Sequence, residues 1–439
     1  MKRTVGVQAG GAVAGFAADA LLGDPRRGHP VAAFGRAAGA LERRMWRDDR
    51  GVGALYVALC AGGAIAVGRA ASTAAGITAA DGGPRRAEGA WRAATGEDPA
   101  PGTEFVARGI RAFAKRGAGA LTKPGAGPLT KPGTDALARP GTDALARPGT
   151  DALARPGTGT LASRGIRALA KRGVRKRARA AGCSQVSAVA VTAAATWAVL
   201  GGTSLTREAR AVAAALEAGD LELARERLPA LCGRDPLGLD ARGVARAVVE
   251  SVAENTSDAV VGALVWGALA GVPGMLGFRA VNTLDAMVGH RSPRHRRFGW
   301  AAARLDDAAG WPGARLTAVL AAVAGPDPCG ALRAWRSDAH RHPSPNAGPV
   351  EASFAGALGV RLGGTLSYGG RVEHRPALNG PGRQVRTADI ERAVRLSRRV
   401  GVLALAVCCA VGAARGAVRG AVGGTTRRPR GAGSAGGAR

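Results

Sequence analysis

Between Arg246 and Arg315, carboxylates, amides and basic residues are set into apolar sequence, whereas elsewhere the chain is plainly apolar or plainly basic. At about 100° per residue along a helix, Glu250, Glu254 and Asp258 follow one another at spacings of four. They form one acidic stripe, with Val248, Val249, Val252 and Ala253 on the other side. Carboxylates on one stripe repel unless a cation neutralises them, and hard oxygen ligands of this kind suit Mg²⁺ that holds phosphate. A solvated helix face produces the same pattern, and Arg246, one turn before Glu250, offers an ion-pair partner instead. Downstream, Asn282 and Asp285 are three apart on one helical face. A basic patch then runs through His290, Arg291, Arg294, His295, Arg296 and Arg297, and Asp306-Asp307 follow Arg304. Asn-x-x-Asp and Asp-Asp are weak signals singly. Beside the acidic stripe, and within about seventy residues, they read together as a Mg²⁺-phosphate site.

These groups meet only if the chain brings them together. The apolar run 259–279 separates Glu250 and Glu254 from Asn282 and Asp285. A single membrane crossing there would leave the two sets on opposite faces. Gly271-Val272-Pro273-Gly274 interrupts the run, and Pro-Gly breaks a helix. A hairpin or re-entrant segment bent at 271–274 is therefore expected.

Two other stretches carry candidate chemistry. Residues 19–36 hold Asp19, Asp24, His29 and Arg36, with turns at Gly23-Asp24-Pro25 and His29-Pro30; an aspartate before proline also reads as an Asx-turn or cap. Residues 340–364 hold His340, His342, Ser344, Asn346 and Glu351, with an apolar helix expected to end at Gly363-Gly364 and a flexible loop at Tyr368-Gly369-Gly370. Asn346-Ala347-Gly348 at a helix start would leave N–H groups free for an anion. Ser344 has no obvious Ser-His-Asp partner pattern, which argues against a hydrolase triad, and no GxxxxGK[ST] cradle occurs. Arg234-Asp235 lies in a Gly-Arg-Asp-Pro turn and reads as a local ion pair.

Hydrophobic residues make up 46% of the 439 residues and aromatics 4%, yet mean hydropathy is +0.01 at a net charge of +30. Apolar material is thus concentrated in blocks: 5–22, 52–68, 183–202, 259–279, 400–413, which extends towards Val418, and a shorter run at 314–325. A spanning helix needs about 20 apolar residues, and Ala/Gly richness suits close packing in lipid; buried helices of a soluble protein are the alternative. The fold expected is all-α, a polytopic membrane protein with helical soluble segments. TREARAVAAALEAGDLELARERLPALCGRD after 183–202 reads as two amphipathic helices broken at Ala218-Gly219-Asp220.

The six cysteines show no CxxC or Cys/His ligand spacing, so neither disulfides nor zinc are expected. Met1-Lys2-Arg3 before an apolar run mimics a signal peptide, but Asp19 and Asp24 interrupt the cleavage region and the segment is expected to be retained. No aromatic-interleaved basic motif points to nucleic acid, and the Arg/Ala/Gly bias has the look of a high-GC bacterial genome. Residues 81–180 repeat TDALARPG three times and LTKPG twice, between near copies RGIRAFAKRG and RGIRALAKRG. Pro-Gly at a period of eight sustains neither helix nor strand, so this basic insert is expected to be disordered and cytoplasmic, beside anionic headgroups. The domain reading is 1–80 for N-terminal membrane segments, 81–180 for the insert, 181–415 for the membrane and catalytic core, and 416–439 for a disordered basic tail.

GRDPLGL (233–239), VVESVAENTSDAVVGAL (248–264), AVNTLDAMVGHR (280–291), ARLDDAAGWPGARLTA (303–318) and HPSPNAGPVEASFAGALGVRLGG (342–364) closely resemble the CobD/CbiB family, the adenosylcobinamide-phosphate synthases of cobalamin biosynthesis. DALLGDPRRGHPVAAFGR (19–36) resembles that family's opening motif. The likeness covers roughly residues 5–68 and 183–415 and departs from the family at the insert and the tail.

The resemblance implies that adenosylcobyric acid, a corrinoid substrate, is joined through a propionate carboxylate to the amine of (R)-1-aminopropan-2-ol phosphate or the free aminoalcohol. ATP would activate the carboxylate, through an acyl phosphate, and Mg²⁺ would neutralise the nucleotide. On that scheme Glu250, Glu254, Asp258, Asp285, Asp306 and Asp307 hold the metal and nucleotide, with Asp24 and Asn255 also on the cofactor. Arg234, Arg304 and Arg315 hold phosphate or carboxylate, while Asn282, Ser344 and Asn346 orient substrate. His29 or His342 takes the amine proton, having an ordinary pKa near neutrality. The implied setting is the cell membrane, crossed several times, with membrane lipid and other corrinoid-pathway enzymes as partners and no nucleic acid. Two alternatives are a membrane-embedded Mg²⁺-dependent prenyl-type transferase, using Asn282, Asp285, Asp306 and Asp307 on a lipid diphosphate, and a non-catalytic membrane sensor or scaffold of the same fold.

Overall fold

Apolar runs must satisfy their backbone groups within the segment, and alanine-rich ones do so as helices. The computed structural model describes residues 2–24, 28–77, 185–233, 236–290, 292–368 and 371–425, all within one compact unit. The insert at 81–180, the turn with Arg234 and Asp235, Arg291 and the tail beyond residue 425 lie outside the described residues.

The elements in order are α1 (Lys2–Leu22), α2 (Pro30–Met45), α3 (Arg50–Ala74), α4 (185–199), α5 (Gly202–Glu217), α6 (Leu221–Arg227), α7 (Ala241–Thr256), α8 (Gly262–Leu284), α9 (Trp300–Ala324), α10 (Pro328–Asp338) and α11 (Ala347–Leu358). The antiparallel strands β1 (Leu362–Tyr368) and β2 (Arg371–Leu378) and the long α12 (Ala388–Thr425) complete the chain. Four stretches are long and apolar enough to cross a membrane: Arg50–Ala74, Gln185–Glu217, Ala241–Gly289 and Ala388–Val418; Gly6–Leu22 is a shorter apolar helix. The helical membrane architecture read from the apolar blocks is therefore present, and α12 runs on to Thr425, into the stretch read as tail.

Local stops follow from the side chains at the helix ends. Asp49, Asp220, Asp240 and Asp327 cap α3, α6, α7 and α10 by accepting backbone N–H bonds from Val52, Leu223, Gly243 and Gly330 at 2.7–2.9 Å. Such caps contribute about 1 kcal/mol each. The break expected at Ala218-Gly219-Asp220 lies between α5 and α6. At the centre, every residue of α11 is buried, as a helix apolar all round should be. Val248, Val249, Val252 and Ala253 of α7 join the same core.

The run around 259–279 doubles back. Gly271 adopts φ 66°, ψ −155° inside α8, a backbone conformation that glycine tolerates at little cost, and Pro273 follows it. Across the bend Gly262 packs on the ring of Phe278, leaving no room for a β-carbon. Each arm from Asp258 or Asp285 to the tip is about 20 Å long, shorter than the about 30 Å hydrocarbon core of a bilayer. The segment has the dimensions of a re-entrant hairpin, as expected from Gly271-Val272-Pro273-Gly274.

One element departs from the all-helical reading. The helix expected to end at Gly363-Gly364 stops at Leu358, where Gly359 takes φ 67°. Gly363 and Gly364 instead lie in β1, and Tyr368 pairs with Arg371 in the antiparallel ladder; Gly369 and Gly370 of the expected flexible loop lie outside the described residues. Two short runs of alternating residues around Gly-Gly are a hairpin signal, so the sequence held the cue.

Candidate functional site

Two of the carboxylates sit in π-helical turns: Asp258 in Ser257–Val261 and Asp285 in Asp285–Gly289. Single π turns inside α-helices are frequent at functional sites. The turns lie at the open ends of the two hairpin arms, so both carboxylates reach one place. There Asp258 meets the charges of Asp306, Glu254, Arg279 and Asp285. Asp306 lies beside Asp285, Asp307 and Glu254 and accepts an N–H from Asn282 Nδ2 at 3.4 Å. Burial first, then the charge of Asp285, push the Asp306 carboxyl up to about 7 against the pull of the Asn282 bond, and Asp307 and Glu254 add to the rise.

Arg279 is the cation among them. Its Nη1 donates to Asn282 Oδ1 at 3.4 Å, and its charge faces both Asp258 and Asp24. The Nε of Arg279 is buried with no hydrogen-bond partner among the described residues. The opening motif is thereby docked on the hairpin. Thr203 N–H donates to Asp19 Oδ2 at 3.3 Å and Trp197 Nε1 to Gly23 O at 3.0 Å.

His29, expected as a proton acceptor, has one ring nitrogen occupied: Nδ1 accepts the Val31 N–H at 3.1 Å, capping α2. Its Nε2 lies 3.4 Å from Asp24 Oδ1, an oxygen with no hydrogen-bond partner among the described residues.

Beside the carboxylates opens a cleft of about 760 Å³, lined by residues that include Arg296, Trp300, Arg304, Asp307, Arg315, Trp335, Arg336 and His342. Arg304 is exposed and reaches Asp307 at 3.8 Å. Arg315 Nη1 donates to Pro345 O at 2.7 Å and Asn346 Oδ1 at 3.2 Å, and its guanidinium stacks 4.8 Å from the Trp311 ring.

Two residues expected to orient substrate, Asn346 and Ser344, also make framework bonds. Asn346 spends its amide on the Arg315 bond and on Asp307 O, 2.9 Å from Nδ2, so it joins the basic wall of the cleft to the carboxylates. Ser344 Oγ accepts the N–H groups of Asn346 and Ala347 at 3.3 and 3.2 Å. The N–H groups expected to be free at the start of α11 therefore already have acceptors, Gly348 N–H donating to Ser344 O at 3.3 Å. Asn255 Nδ2 donates to Ser251 O at 3.0 Å and Ser251 Oγ at 3.1 Å, which turns its amide donor away from a cofactor. Glu250 is 4% exposed and accepts the Gly363 N–H at 2.7 Å; the stripe is divided, with Glu250 supporting β1 while Glu254 and Asp258 face the other carboxylates.

His342 also departs from the expectation of an ordinary pKa. Burial, then the neighbouring Arg375 guanidinium, hold it down at about 4. Ser344 N–H donates to Nδ1 at 3.1 Å and Arg375 Nη1 approaches Nε2 at 3.4 Å. At neutral pH the ring is uncharged, and its 3.8 Å approach to Glu351 is a contact rather than an ion pair.

Among the described residues no three His, Cys, Asp or Glu side chains close on a point as a protein-only metal cage. Mg²⁺ is ordinarily held by one or two carboxylates together with substrate phosphates and waters. Burial raises Asp306 most, and the charge of Asp285, Asp307 and Glu254 adds to it; that added part is negative charge of the kind a divalent cation relieves, so the donor set fits Mg²⁺ held together with phosphate. All five described cysteines are free.

Arg279, Trp335 and Arg336 escaped the sequence reading. For Arg279 the signal was present, since a lone ionisable residue inside an apolar run is a functional pointer. Nothing in the sequence marked Trp335 and Arg336, which reach the cleft only through the packing of α10 on α9 and α11.

A sequence model of the family described as CobD/Cbib protein matches residues 158–397. The cobalamin biosynthesis protein CobD of Mycobacterium tuberculosis strain H37Rv is 41% identical over 403 residues, covering 90% of this chain and 94% of the relative. CobD of Mycobacterium bovis is 60% identical over 225 residues, 50% of this chain and 72% of the relative. CobD of Rhodobacter capsulatus is 51% identical over 189 residues, 43% and 60% of the two chains. No solved structure matches the chain. With the family motifs in order and a relative aligned along nearly its whole length, the chain belongs to the CobD/CbiB family of cobalamin biosynthesis enzymes.

Proposed function

We propose that the chain is a multi-pass enzyme of the cell membrane that joins adenosylcobyric acid to (R)-1-aminopropan-2-ol phosphate, or to the free aminoalcohol, with ATP and Mg²⁺. The observation that carries this reading is the meeting of Glu254, Asp258, Asp285, Asp306 and Asp307 beside an arginine-lined cleft. An amide does not form from a carboxylate and an amine in water without activation. A propionate oxygen attacks the γ-phosphorus of ATP, ADP leaves, the amine nitrogen attacks the acyl carbon, and inorganic phosphate departs as the C–N bond forms. Mg²⁺, when held by carboxylates of the cluster, supplies charge neutralisation to the phosphates.

The chain's own residues divide the remaining work. Arg304 and Arg315 neutralise anionic groups in the cleft, and Asn282 fixes Arg279 and Asp306 relative to one another. Arg279 offers its unpaired Nε–H to the incoming carboxylate. The amine proton passes to a carboxylate of the cluster, because His29 Nδ1 already accepts the Val31 N–H and His342, held down at about 4, is a weak proton acceptor. Neither a prenyl-type transferase nor a sensor accounts for relatives named for cobalamin biosynthesis.

The test is product formation from adenosylcobyric acid, aminopropanol phosphate and Mg-ATP by membranes carrying the wild type, Glu254→Gln or Asp285→Asn. Product from the wild type and none from the two variants at equal abundance is expected. Product formed without ATP would overturn the activation scheme, and no product from a well-inserted wild type would overturn the synthase reading for this chain acting alone.

A further inference from the structure

The cleft is chemically lopsided. Arg304, Arg315 and Arg336 line it with one carboxylate, Asp307, and two tryptophans, Trp300 and Trp335. Arg336 is exposed and has no carboxylate partner among the described residues, and Arg304 has only Asp307 at 3.8 Å. Arg315 is fixed through Nη1 to Pro345 O and Asn346 Oδ1, which presents a pre-positioned guanidinium without ordering cost at binding. Arginines fixed in this way suit phosphate oxygens, which accept forked N–H pairs. Flat aromatic walls suit a base, which stacks on them. At about 760 Å³ the cleft lies within the range of small-molecule sites and is far roomier than a three-carbon phosphate requires. Asp307, at the edge shared with the acidic cluster, is where a terminal phosphate would meet the divalent cation.

We infer that this cleft is the nucleoside triphosphate site, with Arg304, Arg315 and Arg336 on the polyphosphate and Trp300 and Trp335 beside the base. It replaces the glycine-rich cradle that the sequence lacks. The inference takes from the synthase reading only that a nucleotide is a substrate; its position rests on the cleft itself.

The experiment is equilibrium binding of Mg-ATP, aminopropanol phosphate and inorganic phosphate, each alone, to the detergent-solubilised full chain. Wild type is compared with Arg304→Glu, Arg336→Glu and Arg333→Glu. Arg333 is an exposed residue of α10 outside the cleft and controls for the general field. Thermal unfolding confirms that each variant is folded. The expected result is that Arg304→Glu and Arg336→Glu each weaken Mg-ATP by about tenfold or more, the scale of one charge-assisted contact. Arg333→Glu and the affinity for aminopropanol phosphate should stay unchanged. Mg-ATP binding unchanged in both cleft variants, weakened equally by Arg333→Glu, or unchanged while aminopropanol phosphate is lost, overturns the assignment. Arginine-dependent Mg-ATP binding by a chain that forms no product would sink the synthase reading and leave this one standing.

Discussion

Gly262 and Phe278, sixteen residues apart, are in direct contact, with no room between them for a β-carbon. A straight helix would hold them about 24 Å apart. The contact closes the hairpin that sets Asp258 beside Asp285. Gly262→Val should prise the arms apart, costing about 1–3 kcal/mol as overpacking does and abolishing activity beyond what the lost stability explains. A paired check uses cysteines in place of Glu254 and Ala286 in a cysteine-free background: a membrane-impermeant thiol reagent should label both from the same face. Labelling from opposite faces would refute the hairpin.

Arg279 faces Asp258 and Asp24 together. Arg279→Met removes the charge that compensates Asp258 and should cost about 3 kcal/mol or more, as breaking a buried pair does. Arg279→Lys keeps the charge but loses the planar fork, so activity should fall further than thermal stability. Measuring both on the same detergent preparations separates the roles; equal activity in the lysine variant would show that charge alone suffices.

Glu250 accepts the Gly363 N–H and supports β1. Glu250→Gln keeps an acceptor oxygen and should retain most activity. Glu250→Ala leaves a buried donor unsatisfied and should lower stability by about 1–3 kcal/mol. If the Gln variant instead loses Mg²⁺-dependent turnover while staying folded, Glu250 belongs with the metal-holding carboxylates after all.

His342 links stability to acid. It binds a proton near 6.5 when unfolded but only at about 4 when folded, so between these values the unfolded chain holds more protons. Its contribution is therefore fully present above about pH 6.5 and is lost as the pH falls towards 4, by up to about 3 kcal/mol. Unfolding followed against pH should show this decline in the wild type and a flatter profile in His342→Gln. Parallel profiles would assign the acid sensitivity to other groups.

Much of the architecture was legible because apolar length and helix-breaking residues act locally. The apolar blocks predicted the helices long enough for a bilayer, Ala218-Gly219-Asp220 predicted the α5–α6 break, and Gly271 with Pro273 predicted the bend. The strand pair was passed over because Gly363 and Gly364 read as a helix end, although Tyr368-Gly369-Gly370-Arg371 carried the hairpin signal.

The site divides along the same physical line. By itself the sequence determined which chemistry was available, since carboxylates, amides and arginines at helical spacings belong to residue type and periodicity, and its long motifs determined the family. Tertiary structure alone decided which of those groups face one another. Glu250 went to Gly363 and Asn346 to Arg315 and Asp307, Ser344 became a cap, His342 lost its proton affinity, and Arg279, Trp335 and Arg336 came into the site. The reason is that a side chain's partner and its protonation are set by burial and by groups distant in sequence, which no local pattern records.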